Sequence, residues 1–156
     1  MQPRDLISSA RKILGDGQVG SPKQSDLKRA MSTAYYAMFH AICRNCADTL
    51  VGKTPAFRSQ GAWNQAYRAV DHRFAKSQCR SATMPAFPPE IADFAGQFAS
   101  LQEKRHKADY DPSHRLTRHA VITEIDTADL AIKRLQNAAI KHKRAFAVWT
   151  VMKRRE

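Results

Sequence analysis

An all-α fold, a single up-and-down bundle of about five helices closed by a long C-terminal helix, is what the sequence predicts. Three observations carry that expectation. Apolar residues recur at intervals of three and four along most of the chain, the spacing of one helix face. No alternating apolar and polar run is flanked by hairpin turns, so strands find no support. A length of 156 residues, 43% hydrophobic and 26% charged, suits one folded domain and not a disordered chain.

The elements follow in order. A short first helix covers Asp5 to Leu14, with Leu6, Ala10 and Leu14 on one face, and ends in the glycine-containing loop GDGQVGSPK. A second begins at the N-capping residue Ser25 and runs to about Leu50. Its stripe of Leu27, Met31, Ala34, Tyr35, Met38 and Ile42, widened by Tyr36, Phe39 and Cys43, marks it as central. A third spans AWNQAYRAVDHRFAK from about Ala62, with Trp63, Ala66, Val70 and Phe74 inward. Pro89 and Glu90 suit the first turn of a fourth, whose buried side is Ile91, Phe94, Ala95, Phe98 and Leu101. The last starts between Ser113 and Thr117, repeats Val121, Ile125, Ala128, Ile132, Leu135 and Ala139, and continues toward Phe146 and Trp149. Residues 141–156 form a basic helical extension or tail.

Net charge is the strongest bulk signal. A value of +12 favours polyanionic partners, nucleic acid first, through steering and counterion release. The plain alternative is that Lys and Arg only solubilise exposed helix faces. No apolar run approaches the roughly 20 residues that cross a bilayer, and MQPRDLISSARKIL lacks the apolar core of a secretion signal, so no membrane association and a cytoplasmic location are expected. Cys43, Cys46 and Cys79 are read as reduced thiols. The segment CRNC preceded by His40 lacks a second ligand pair, and neither a Gly-rich phosphate loop nor an acidic cluster occurs, so no metal or cofactor is expected. Arg68 with His72, and Arg115 with His119, read as a solvated basic face.

The segment EKRHKADYDP, residues 103–112, breaks the pattern. At about 100° per residue Arg105 continues the direction of Phe94 and Phe98, and Asp109 that of Ile91 and Gln102. Charge therefore lies on the apolar face, where an ion pair is either partly buried or at an interface. His106 and Tyr110, four residues apart, flank the stripe and could share a cleft with a phosphate gripped by Arg105. The alternative is an Arg105–Asp109 pair that clamps helices together. Tyr36 and His40 are candidates to line the same cleft.

The stretch LKRAMSTAYYAMFHAI, followed by RHKADYDP and a long helix, resembles the small prokaryotic HEPN-domain proteins over approximately residues 25–140. That resemblance implies a compact helical bundle and a homodimer. It also implies activity as a metal-independent endoribonuclease, as in toxins paired with a nucleotidyltransferase antitoxin, or else nucleotide or RNA binding, or a non-catalytic interaction module. Arg105 matches the family's arginine. The family's RNases place a histidine after four to six intervening residues, whereas the next histidine here after His106 is His114, past Pro112. By resemblance His106 is the substitute base, His114 a second choice, and Tyr110 the acceptor for modification by a partner enzyme.

Overall fold

The computed structural model describes residues 1–15 and 22–156, so most of the loop after the first helix, residues 16–21, lies outside the described residues. The protein is all-α. Among the described residues there are seven helices: α1 (Pro3–Leu14), α2 (Gln24–Leu50), α3 (Gln60–Arg68), α4 (His72–Cys79), α5 (Pro89–Tyr110), α6 (Arg118–Asn137) and α7 (Ile140–Val151). The expected count of about five falls short because two predicted helices are each broken in two.

The first break divides the predicted third helix. Val70 is buried and Asp71 adopts an extended backbone, its carboxylate accepting the Phe74 N–H at 2.8 Å. Asp71 is thus an N-cap that starts α4 afresh, a role its short acceptor side chain suits better than a helix interior. Trp63, Ala66 and Phe74 are only half-buried.

The second break divides the predicted last helix. Ala138 and Ala139 have ψ of 156° and 142°, both extended, although alanine is the strongest helix former. Packing accounts for the turn: it swings α7 back against α2 and α4 and buries Phe146, Ala147 and Thr150 completely. Asn45 Nδ2 donates to the Lys143 carbonyl at 2.9 Å, and Trp149 and Gln78 exchange side-chain-to-carbonyl hydrogen bonds at 3.0 and 2.9 Å. The break also shifts the register, so Ala138 is buried and Ala139 exposed.

Helix α2 is central, packing against α1, α3, α5, α6 and α7. Every residue of its predicted main stripe is buried, and so are Phe39 and Cys43. It starts at Gln24, not at Ser25, and without a side-chain cap; the Gln24 amide instead makes paired bonds to the Leu116 backbone at 2.8 and 2.9 Å. The five predicted inner residues of α5 are all buried. Burial of large side chains such as Tyr35, Phe94, Phe98 and Phe146 stabilises the fold by roughly 1.5–3 kcal/mol each. Helix α5 stops where expected, because Asp111 precedes Pro112 and takes an extended backbone, its carboxylate accepting the Ser113 N–H at 3.0 Å. Thr117 then caps α6 through the Ala120 N–H at 3.1 Å.

All three cysteines are free and buried. Burial pushes the Cys43 and Cys79 thiols up to about 12 and Cys46 up to about 11, which leaves them protonated and poor nucleophiles at neutral pH.

Candidate phosphate-binding groove around Arg105

Arg105 lies one helical turn beyond Leu101 on α5, so its stem follows the buried stripe while its head emerges beside α2. The guanidinium carbon sits 4.9 Å from the centre of the Tyr35 ring and 5.0 Å from that of Tyr36. Nε donates to Ser32 Oγ at 3.1 Å and lies 3.5 Å from Asp109 Oδ2, and Nη2 donates to the Tyr36 hydroxyl at 3.3 Å. Nη1 makes no hydrogen bond among the described residues. With its side chain 28% exposed, Arg105 is a partly buried cation held by two aromatic faces and aimed outward.

Arg105, His106, Asp109 and Tyr110 line one surface pocket of about 230 Å³, together with Lys76 from α4 and Gln102. The His106 and Tyr110 rings stand 4.6 Å apart, and Tyr110 is 75% exposed. Gln102 Oε1 is buried and accepts no hydrogen bond among the described residues. An orphaned acceptor of this kind costs about 1–3 kcal/mol unless a donor reaches it.

Two of the expected cleft residues lie elsewhere. His40 bonds through Nδ1 to the Tyr67 hydroxyl of α3, one turn further along α2 from Tyr36. His114 lines a different pocket, with Lys104, Leu116 and Glu124 among its neighbours, because the tight turn after Asp111 leads the chain toward the start of α2. Tyr36 does reach the groove, through its bond to Arg105.

His72, expected on a solvated face, is instead half-buried beside the site. Its ring stacks on Phe39 with centroids 3.5 Å apart, and its Nδ1 shares a 2.6 Å hydrogen bond with the Tyr35 hydroxyl. The signal was present in the sequence: Asp71 read as an N-cap puts His72 in the first turn of a new helix. Arg68, Arg115 and His119 are exposed, as expected.

Burial lowers the pKa of His72, and the Arg105 charge lowers it further; burial likewise lowers that of His40. Both folded values lie below the ordinary 6.5, so in that window the unfolded chain binds more protons and stability falls as pH drops. A His40→Gln, His72→Gln double variant should therefore lose less stability than the parent between about pH 7 and pH 5, measured by urea midpoints. An unchanged pH slope would show that the two imidazoles do not carry it.

Burial raises the pKa of Tyr35 well above its usual value, against the opposing Arg105 charge, so its hydroxyl stays protonated. The arrangement can present one guanidinium edge, with an exposed imidazole, an exposed phenol and a lysine around it, to an incoming anion.

No family model, curated protein or solved structure matches the chain.

Proposed function

We propose that this chain is a HEPN-like protein that binds RNA or a nucleotide through the groove around Arg105. The observation that carries the reading is the open Nη1 edge of a guanidinium already braced by Ser32, Tyr35, Tyr36 and Asp109. A braced arginine loses little side-chain entropy when it grips a phosphate oxygen. Lys76 adds a second cation and Tyr110 an exposed ring for base stacking. The net charge of +12 adds long-range attraction for a polyanion.

Cleavage is the sharper version of the same reading. In it His106 takes the proton of a ribose 2′-hydroxyl as that oxygen bonds to the adjacent phosphorus, the P–O5′ bond breaks and the departing 5′-oxygen gains a proton from water, while Arg105 stabilises charge on the phosphate. A second reading has its own observation: Arg105 links α5 to α2 through Ser32 and Tyr36, as the clamp of a catalytically silent interaction module would.

Fluorescence anisotropy with a labelled single-stranded RNA over a range of salt separates the two. Arg105→Ala should weaken binding about tenfold or more and reduce the salt slope by about one. A destabilised protein with undiminished RNA affinity would favour the clamp. Incubation with total RNA in the presence of a chelator tests metal-independent cleavage.

A further inference from the structure

A second pocket, sharing no residue with the Arg105 groove, lies where the C-terminal end of α2 meets the α6–α7 turn. Its volume is about 360 Å³, at the lower end of the range of roughly 300–1,000 Å³ typical of small-ligand sites. Three cations line it: Arg44 from α2, Lys53 from the following loop and Lys143 from α7. None of the three makes an ion pair among the described residues: Arg44 lies against the Trp63 ring and Lys143 Nζ donates to the Gln136 carbonyl at 3.1 Å.

The one carboxylate in the lining, Asp48, is already engaged. It accepts the Trp63 indole N–H at 2.9 Å and pairs with Arg58 at 3.8 Å. Like charges held around a concave surface repel one another, and the repulsion is relieved by an anion between them. The fold brings them there by two local features. Gly52 lets the loop close tightly, since a Cβ at that position would stand 2.7 Å from the Phe57 carbonyl oxygen. The turn at Ala138 and Ala139 carries Lys143 back onto α2, where the Asn45 amide holds its carbonyl.

We infer that this pocket is an anion site for a small phosphate-bearing molecule, a phosphate monoester or free phosphate, gripped by Arg44, Lys53 and Lys143. Arg44 supplies a fork for two phosphate oxygens and the lysines supply point charges. Gln136 and Asn137 at the end of α6 also line the pocket, and their amides offer donors and acceptors to the rest of a monoester. Burial and, after it, the charge of Lys53 lower the pKa of Lys143, against the opposing charge of Asp48. A competing explanation is that the lysines only neutralise the carbonyl ends of α2 and α6.

Isothermal titration calorimetry of the full chain decides between them, with AMP, inorganic phosphate and adenosine as probes. An Arg105→Ala background removes any contribution from the first groove. AMP and phosphate should bind and adenosine should not, and Lys53→Gln combined with Lys143→Gln should weaken AMP about tenfold or more. Tighter AMP assigns the site to a monoester and equal affinities assign it to free phosphate; both support it. Lys53→Gln alone, at a loop position, and Arg44→Gln provide independent variants should the double one melt early. No heat from either phosphate probe up to about 10 mM, or equal affinity in every variant, would overturn the inference.

Discussion

Replacing Phe146 by alanine should destabilise the protein by about 3–5 kcal/mol, the usual cost of emptying a fully buried aromatic site. Phe146 is inaccessible to solvent and packs edge-on against Phe94 of α5, with Phe87 on another side. It is thus the point at which α7 enters the core shared with α2 and α5. Urea denaturation should show a large fall in the midpoint with little change in slope. Truncation of Lys153, Arg154 and Arg155, which lie beyond α7 and are exposed, should leave the midpoint nearly unchanged. A loss under about 1 kcal/mol for Phe146→Ala would mean that α7 is an appendage and not part of the bundle.

Arg105→Lys should cost RNA affinity nearly as much as Arg105→Ala, about tenfold, while keeping the salt dependence of the parent. The reasoning separates charge from geometry. The guanidinium is held by contacts shared between Nε and Nη2, with its central carbon over the Tyr35 and Tyr36 rings. An ammonium keeps the charge, and with it the number of counterions released, but its donors radiate from one atom and lack the planar fork that bonds Ser32 and Tyr36 through separate nitrogens while leaving Nη1 free. Anisotropy titrations across salt concentrations measure both quantities. Full affinity in the lysine variant would reduce Arg105 to a point charge and remove the reason for its aromatic bracket.

The residues of the Arg105 groove were largely legible in advance. Three- and four-residue spacing alone placed Arg105 on the buried stripe of α5, Asp109 one turn away, and His106 with Tyr110 beside them, because a continuous helix turns sequence spacing directly into direction. His72 was not legible in that way. Its approach to Tyr35 depends on the chain restarting a helix at Asp71, and a single N-cap signal inside an apparently periodic stretch is easily absorbed into one longer helix. The place of His114 is hidden for the converse reason, since proximity in sequence across the Asp111–Pro112 turn says nothing about which side of α5 the chain then follows.

Periodicity and composition suffice for the all-α class, the central place of α2, the inner faces of α2 and α5, and the stop at Pro112, because each rests on side chains only a few residues apart. The turn at Ala138 and Ala139 has only a weak local cause, the asparagine Asn137 that ends α6. Two alanines favour continuing the helix, and the chain departs from it because burying Phe146, Ala147 and Thr150 against α2 outweighs the few backbone hydrogen bonds given up. The cationic pocket of Arg44, Lys53 and Lys143 follows from that turn. Residues nearly a hundred positions apart meet there only once α7 has folded back, so packing and not sequence spacing creates the site.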